Sequence, residues 1–328
     1  MVTILSTRLP NPQLNMEFIR NLSQLRHLHQ GCVATIGNFD GVHLGHQAVL
    51  QQLAMISQNW QLPAVVIIFE PQPQEFFAPD KVPARLTRLR EKLMAMHRYG
   101  VERVLCLHFD NKLATISAED FIQQVLIKAL GVRHLVVGDD FHFGKKRQGN
   151  FATLQQAGKQ YGFQVESQQT FILGNERVSS TRVRQALEQG DMQGAKKLLG
   201  RPYTLCGRVR YGEQRGRTIG FPTANIFLHR QVSPLHGVFA TMLQGITEKP
   251  LTGIANLGTR PTFDDNQLLL EVHLFDFDKT IYGHYVEVEF AHKLREEQRF
   301  SSFDALKKQI EKDVQLAKAL FFKDKMFY

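Results

Sequence analysis

The first half of the chain alternates short apolar runs with segments of helical periodicity. The apolar runs are rich in β-branched residues and read "CVATI", "AVVIIF", "RVLCLHF", "HLVVG" and "FQVESQQTFIL". Helical patterns separate them at residues 45–57, 87–99, 117–129 and 151–161, and Ser117 followed by Asp120 resembles a capping box at one helix start. Alternation of this kind predicts a mostly parallel sheet covered by helices, from Cys32 to about Ile172.

The second half has a different texture. Two short helical patterns, "STRVRQALEQG" and "DMQGAKKLLG", lead to "RPYTLCGRVRYGEQRGR", and from there strand-like runs are separated by Gly and Pro turns until an amphipathic helix at 302–321. This order predicts a small antiparallel β-barrel closed by a C-terminal helix. We therefore expect two domains, 1–186 and 187–328, with 187–200 as a helical linker region.

Composition narrows the function classes only slightly. The 328 residues are 43% hydrophobic and 22% charged, typical of a globular protein, and the net charge of +9 favours anionic partners such as phosphorylated ligands. Cys32, Cys106 and Cys206 form no C-x-x-C pair, which disfavours a disulfide framework or a cysteine zinc site. No apolar run approaches the ~20 residues that span a bilayer, so we expect a cytoplasmic protein.

The stretch "TIGNFDGVHLGHQAVL" joins an apolar run to a helical pattern. Its glycines, Gly37, Gly41 and Gly45, allow close approach of the backbone to a ligand at a helix N-terminus, which suits phosphate. His43 and His46 could then donate hydrogen bonds to phosphate oxygens as charge develops. The same pair could instead lie on a helix surface or form half of a zinc site, although no Glu follows the first His as in H-E-x-x-H.

A second polar cluster, "VSSTRVR" at 178–184, precedes a helical pattern. The hydroxyls of Ser179, Ser180 and Thr181 could simply cap that helix, and Arg182 and Arg184 could be solvated. Together with the histidine loop in one alternating domain, a phosphate-binding role becomes the better interpretation.

The barrel half carries the string "GRVRYGEQRGRTIGFPTANI". Its glycines Gly212, Gly216 and Gly220 permit a polyphosphate-binding loop, but the spacing is not that of a Walker P-loop, and a turn-rich hairpin is the plain alternative. Thr223 and Asn225 alternate on an extended segment and share a face, where they could hold Mg²⁺ and phosphate oxygens. Glu271 interrupts an apolar strand and is either a solvent-face residue or a catalytic base.

These motifs resemble a known family. "GNFDGVHLGH" resembles the nucleotidyltransferase signature, and "GRTIGFPTAN", "ANLGTRPTF", "LEVHLFDF" and "LREEQRFSS" resemble bacterial riboflavin kinase. Their order matches the bifunctional riboflavin kinase/FMN adenylyltransferase (FAD synthetase) family over about residues 31–313. The resemblance implies a Rossmann-like nucleotidyltransferase domain, then a riboflavin kinase barrel, which make FMN and then FAD from riboflavin with ATP and Mg²⁺.

The resemblance also implies residue roles. Glu271 is the base of the kinase step, and His43 and His46 stabilise the transition state of adenylyl transfer. The implied ATP contacts of the adenylyltransferase are Gly37, Asn38, Phe39, Asp40, Gly41, Ser180, Thr181 and Arg184. Those of the kinase are Gly207, Gly220, Phe221, Thr223 and Asn225, of which Thr223 and Asn225 also hold Mg²⁺. The implied flavin contacts are Phe69, Asp140, Phe141 and Arg295.

Two positions depart from the family pattern, and two other functions compete. Gln72 stands where relatives often have His, and His142 where they often have Arg, which affects the flavin contacts of the first domain. A tRNA-linked adenylating enzyme would share the histidine motif but needs an RNA-binding domain, of which residues 201–328 show no signature. A flavin sensor without catalysis would not need the histidines, Thr223, Asn225 and Glu271 together. We expect no nucleic acid, membrane or obligate protein partner.

Overall fold

The computed structural model describes residues 16–20, 22, 31–211, 221–230, 232–261 and 266–326. Contacts divide the chain into one unit of Met1–Pro83 with Thr87–Val178 and a second of Ala84–Leu86 with Ser179–Tyr328. The predicted domain limits, 1–186 and 187–328, stay a prediction.

The first unit is built on a six-stranded parallel sheet, as the alternation of elements predicts. Its spatial order is β1-β4-β3-β2-β5-β6, with every neighbouring pair parallel. The strands are β1 Glu17–Ile19, β2 Cys32–Ile36, β3 Ala64–Glu70, β4 Arg103–His108, β5 Val132–Gly138 and β6 Gln164–Gln168. The expected last strand of this half is split, because a separate hairpin of β7 Ile172–Leu173 and β8 Glu176–Arg177 follows β6.

Helices cover the sheet on both faces. Val33 of β2 belongs to one buried core cluster, together with residues of the helices at 44–60 and 89–97. Its neighbour Ala34 belongs to a second core cluster. Burial on both faces explains why these strands are continuous apolar runs rather than alternating ones. The helices are α1 Leu44–Trp60, α2 Pro73–Phe77, α3 Leu89–His97, α4 Asn111–Ala114, α5 Ala118–Phe121 continued by a π-helical segment Ile122–Ala129, and α6 Phe151–Tyr161.

The predicted helix limits hold within a few residues. The helix predicted at 151–161 has these limits in the structure, whereas α3 is shorter than the predicted 87–99 because Arg88 occupies its N-cap. Ser117 caps α5 as predicted, since its side chain accepts the Asp120 backbone N–H at 2.9 Å.

The second unit is a closed antiparallel barrel, as predicted. Its spatial order is β10-β13-β12-β11-β14-β9. The strands are β9 Tyr203–Arg210, β10 Ala224–Phe227, β11 Gly237–Gln244, β12 Leu251–Pro261, β13 Asn266–Leu274 and β14 Tyr285–Arg295. The described residues of this unit also form the helices α7 Ser180–Glu188, α8 Met192–Leu199 and α9 Phe303–Met326, the last extending beyond the predicted 302–321.

The C-terminal helix packs on the outside of the barrel. Ala317 and Phe321 of α9 form a buried cluster with Ala240, Ile254 and Phe275. Within β13, Leu270 and Val272 are buried whereas Glu271 between them is half-buried. The alternation of a two-faced strand therefore places Glu271 on the outer face, the side that α9 partly covers.

Candidate active sites

The histidine loop follows β2 at the carboxyl edge of the parallel sheet. The loops after β3 and β5, the strands on either side of β2, leave the same edge and carry Phe69, Asp140 and Phe141 at or just after the strand ends. In open α/β sheets this edge is where ligands bind. Topology therefore gathers at one edge the histidines and the flavin contacts predicted for this half.

The two imidazoles are held in one arrangement at the start of α1. His43 is the N-cap of this 17-residue helix, and its Nδ1 accepts the His46 backbone N–H at 3.4 Å. The rings stack with centroids 3.7 Å apart. An accepting Nδ1 carries no proton, so neutral His43 presents Nε2–H as a donor. The helix N-terminus adds backbone N–H groups and a positive dipole, which favour a phosphate.

A buried carboxylate builds the loop. Asp40 is 4% exposed, and its Oδ1 accepts the Thr87 backbone N–H at 2.9 Å and the Thr87 hydroxyl at 3.2 Å. The same hydroxyl oxygen accepts the Gly41 N–H at 2.9 Å. The side chain of Asp40 thus fixes the loop conformation. Sequence reasoning missed Thr87, which lies 46 residues from Gly41.

The loop glycines and Phe39 have identifiable packing roles. Phe39 is buried in the core and lies 5.0 Å from the His46 ring, centroid to centroid. A Cβ on Gly37 would meet the Phe39 ring at 3.0 Å, and one on Gly45 would meet the His43 ring at 3.3 Å. Gly41 has φ +83°, in the left-handed region. Of the loop's five predicted ATP contacts, Asn38 is exposed and Gly37 is partly exposed, whereas Phe39, Asp40 and Gly41 are buried.

The hydroxyl cluster divides between capping and the first helical turn. Ser179 is the N-cap of α7 and accepts the Arg182 backbone N–H at 3.3 Å. Ser180 and Thr181 are the first residues of the helix, so capping does not account for them. Arg184 donates from Nε to the Ala84 carbonyl at 2.6 Å. The phosphate role of Ser180, Thr181 and Arg184 stays a prediction.

An aromatic cluster lies beside the predicted flavin contact Phe69. The Phe69 ring meets Phe109 edge-to-face at 5.8 Å, and Phe76 and Phe77 contact Phe109 at 5.4 and 5.7 Å between centroids. Phe77 is 66% exposed, so the cluster reaches the surface after β3 and β4. Such a surface suits a flat aromatic ligand.

The loop after β5 contains the other predicted flavin contacts. Phe141 stacks on Phe143 with centroids 5.6 Å apart, and Asp140 forms a 2.8 Å ion pair with Arg177 of β8. Of the two positions that depart from the family pattern, Gln72 is buried at the N-cap of α2 and His142 is exposed, with Nδ1 2.8 Å from the Asp140 carbonyl oxygen.

In the barrel, strand register gathers the predicted kinase residues. Glu271 of β13 pairs with Asn225 of β10 on one side and with Asn256 of β12 on the other, so all three share a face. Glu271, Thr223 and Arg295 line one cavity of about 400 Å³ with Asn256. The hypothesis that Glu271 is only a solvent-face residue of its strand does not describe its surroundings fully, because Glu271 borders a cavity between the barrel and α9.

The "FPTAN" segment is held at the edge of this cavity. Thr223, just before β10, lines both this cavity and a smaller adjoining cavity of about 80 Å³. Asn225 is buried and lines only the smaller of the two cavities. His273 Nδ1 lies 2.9 Å from the Pro222 carbonyl oxygen, and the His273 ring meets Phe221 edge-on at 5.1 Å. His273, which sequence reasoning did not single out, thus positions this segment from the neighbouring strand.

The glycines predicted to serve a kinase site in the barrel half have different outcomes. A Cβ on Gly207 would meet Ile226 Cγ2 at 2.5 Å, so close packing of β9 against β10 requires glycine there whatever the ligand. Gly212, Gly216 and Gly220, and with them the predicted polyphosphate loop, lie outside the described residues.

Arg295, a predicted flavin contact, is already engaged by the protein. Its Nε and Nη2 donate to the Asp313 carboxylate at 2.8–3.1 Å. The guanidinium also lies 5.7 Å from the centre of the Phe300 ring. Arg295 therefore joins the end of β14 to α9 at the wall of the cavity.

Other features of the described residues bear on metal binding, membrane insertion and thiol chemistry. Among the described residues, no three His, Cys, Asp or Glu side chains come together as a metal site. Over the same residues, no helix is long and apolar enough to cross a membrane. The three cysteines are free and buried, and burial raises the pKa of the Cys32 thiol to about 12.

Comparison with known proteins assigns each unit to a family. A family model described as FAD synthetase matches residues 25–182, and one described as riboflavin kinase matches residues 199–321. The chain is 52% identical to the bifunctional riboflavin kinase/FMN adenylyltransferase of Haemophilus influenzae, over 93% of the chain and 99% of that protein. It is also 52% identical to the Escherichia coli K12 protein of the same name, over 92% and 96%.

A solved structure shares the whole architecture. It comes from Streptococcus pneumoniae, is described as a macrolide-efflux protein, and has a TM-score of 0.78 at 30% identity, covering 92% of this chain and 98% of its own. The order of an α/β unit followed by a barrel is therefore found in a solved relative.

Proposed function

Because the chain belongs to the family of bifunctional riboflavin kinase/FMN adenylyltransferases, we propose a division of labour between its two halves. The enzyme phosphorylates riboflavin to FMN with ATP and then adenylylates FMN with a second ATP, which gives FAD and pyrophosphate. We assign the kinase step to the barrel with Glu271 as base, and the adenylyl transfer to the histidine loop. The strand register that pairs Glu271 with Asn225 and Asn256, beside a cavity that Glu271 and Asn256 line, carries the first assignment.

In the kinase step the 5′-hydroxyl of riboflavin attacks the γ-phosphorus of ATP, and ADP leaves. Glu271 accepts the hydroxyl proton as the new P–O bond forms. The cavity fits this substrate because its lining combines the polar side chains of Thr223, Glu271 and Asn256 with apolar side chains. The ribityl chain needs hydrogen-bonding partners and the isoalloxazine ring needs an apolar wall. The apolar lining includes Val238, Ile254, Phe303, Leu306 and Ile310.

Magnesium is part of this proposal. The Thr223 hydroxyl and the Asn225 amide oxygen are the uncharged oxygen donors that Mg²⁺ accepts alongside phosphate oxygens and water. Thr223 and Asn225 would hold the ion beside the ATP phosphates, where Mg²⁺ would supply positive charge that offsets their negative charge. Thr223 and Asn225 would orient the nucleotide next to Glu271, since Asn225 is the cross-strand partner of Glu271.

In the adenylyl transfer a phosphate oxygen of FMN attacks the α-phosphorus of ATP, and the bond to pyrophosphate breaks. No covalent intermediate with the enzyme is needed, so catalysis rests on positioning and charge stabilisation. The stacked His43 and His46 at the N-terminus of α1 supply donors for the developing charge. Ser180, Thr181 and Arg184 would bind the triphosphate, and Phe69 with the aromatic cluster around Phe109 would contact the flavin.

Two single variants test the division of labour. Glu271→Gln keeps the side-chain size but removes the proton acceptor, so it should leave riboflavin unconverted and still make FAD when FMN is supplied. His46→Ala should accumulate FMN and lose FAD formation by about 10²–10³-fold. Mixing the two variants should restore FAD synthesis from riboflavin through released FMN, and chromatography of the flavins measures every arm.

Matched variants control for loss of charge or of an imidazole. Glu248→Gln changes an exposed carboxylate in the turn between β11 and β12, and His97→Ala removes the imidazole of the last residue of α3. Both should resemble the parent enzyme. If folded Glu271→Gln also fails with FMN, or phosphorylates riboflavin at the parental rate, the assignment of the two steps is wrong.

The surroundings of the enzyme also belong to the proposal. We propose a cytoplasmic location, supported by free, buried cysteines in the described residues. The expectations of no nucleic acid, membrane or obligate protein partner remain predictions.

A further inference from the structure

A largely buried ion pair forms part of the wall of the kinase cavity. Arg295 ends β14 and Asp313 lies near the middle of α9, and both line the cavity together with Glu271. Asp313 is 3% exposed, and its carboxylate lies 2.8–3.1 Å from Nε and Nη2 of Arg295. Gln309 donates a further hydrogen bond to Asp313 at 2.9 Å. This carboxylate is fully committed to holding its neighbours.

The hydrogen bonds of Arg295 leave part of its guanidinium for a ligand. Nε and Nη2 bind Asp313, and Nη1 donates to the Glu296 carbonyl at 3.0 Å. A guanidinium has five N–H groups, so these bonds use three of them. For the other two, the described residues supply no hydrogen-bond acceptor.

A two-point contact changes how an arginine binds. An unrestrained arginine side chain loses rotamer freedom when it meets a ligand, whereas a bidentate carboxylate has already fixed the plane of the guanidinium. Pre-ordering of this kind improves affinity because less freedom is lost on binding. Asparagine in place of Asp313 would keep the shape but present one acceptor oxygen and no charge.

We propose that Asp313 is a positioning residue of the kinase site, which holds Arg295 so that its remaining N–H groups donate to a carbonyl oxygen of the isoalloxazine ring. This inference rests on the proposed function of the barrel. The pyrimidine portion of the ring carries two carbonyl oxygens, and arginine, which only donates, matches them. Asp313 itself touches neither the substrate nor the transferred phosphoryl group.

The test compares Asp313→Asn with Glu311→Gln, a matched loss of one carboxylate from an exposed position of the same helix. Steady-state kinetics with riboflavin at saturating Mg-ATP should show a KM for riboflavin raised about tenfold or more in Asp313→Asn, the size of one lost charge-assisted hydrogen bond. The kcat and the KM for ATP should stay within about twofold of the parent. Glu311→Gln should match the parent in all three constants.

A second variant separates positioning from simple stabilisation. Arg295→Lys keeps the charge but lacks the planar fork, so it should raise the same KM, and Arg295→Lys/Asp313→Asn should be no worse than the worse single variant. Flavin fluorescence titration without ATP gives the matching Kd for riboflavin, and circular dichroism confirms folding. If Asp313→Asn does not fold, Arg295→Lys and its riboflavin Kd decide the question.

Distinct results overturn the inference and the proposed function. A folded Asp313→Asn or Arg295→Lys enzyme with the parental KM and Kd for riboflavin overturns the positioning role. The positioning role is also overturned if kcat, both KM values and thermal stability all change together. Such a result indicates that the ion pair only stabilises the fold and does not orient a ligand contact. If the parent enzyme makes no FMN, or Glu271→Gln makes it normally, the proposed kinase site fails instead.

Discussion

Thr87→Val isolates the contact that holds the histidine loop. Valine replaces the hydroxyl of Thr87 with a methyl group of nearly the same shape, at a side chain that is 5% exposed. The change removes the hydroxyl donor to Asp40 Oδ1 and the acceptor of the Gly41 N–H, while the Thr87 backbone N–H still reaches Asp40.

The magnitude follows from these two contacts. A hydrogen bond to a charged group contributes about 1.5–3 kcal/mol, and a buried N–H that loses its acceptor costs about 1–3 kcal/mol. The new methyl group recovers part of this through burial, so the loop should lose roughly 2–4 kcal/mol. Displacement of a catalytic group by about 1 Å can reduce a rate by about 100-fold, so FAD formation should fall by about 10- to 100-fold.

The assay supplies FMN and Mg-ATP and follows FAD by chromatography, with riboflavin phosphorylation measured in parallel. FMN formation should stay within about twofold of the parent, because the loop belongs to the other reaction. Thr35→Val is the control, since Thr35 is also buried in this unit but its hydroxyl has no hydrogen-bond partner among the described residues. Removing such a hydroxyl should be neutral or slightly stabilising.

A Thr87→Val enzyme with the parental rate of FAD formation and parental stability would refute this account of the loop. Equal losses in Thr87→Val and Thr35→Val would likewise show that any buried hydroxyl near the sheet matters, and not the contact with Asp40 and Gly41.

Two further predictions concern metal and pH. EDTA should stop both reactions, Mg²⁺ should restore them, and metal analysis should find no stoichiometric zinc; one zinc per chain would return His43 and His46 to the role of metal ligands. Burial lowers the pKa of His134 below its usual 6.5, with Glu166 3.3 Å away opposing the shift. The unfolded chain therefore binds the proton first, and the free energy of unfolding should fall as pH drops below about 6.5. His134→Gln should weaken this dependence of the free energy of unfolding on pH, as measured by urea denaturation between about pH 7.5 and about pH 5.5. An unchanged dependence on pH would show that His134 is not its source.

The fold was accessible from sequence because its two halves have different periodicities. Strands such as Ala64–Glu70 are buried on both faces and appear as unbroken apolar runs, whereas Glu271 interrupts a barrel strand with one face exposed. Strand order was not accessible. It depends on which strands pair across long separations, as β2 does with β5, and one sequence carries no direct signal of that pairing.

The chemistry of the sites was predictable to a smaller extent. The resemblance of motifs gave His43, Glu271 and Thr223, and the register of the barrel then explains why Glu271 faces a cavity. The same resemblance assigned Asp40 and Phe39 to ATP, whereas the structure shows both side chains buried within the protein. If ATP contacts these two positions, we expect their backbone atoms to make the contact. A sequence motif does not distinguish a backbone contact from a side-chain contact.

The residues that sequence reasoning missed share a physical reason. Thr87, His273 and Asp313 each hold another element in place through one to three hydrogen bonds, and each has a plain local explanation. Thr87 sits just before α3, where a hydroxyl is expected as a cap, yet the N-cap is Arg88 and the Thr87 hydroxyl serves Asp40. Asp313 falls among the charges of a basic helix. Because local rules already account for such residues, only their distant partners, and for Thr87 and Asp313 also their burial, reveal a positioning role, and these arise from the fold.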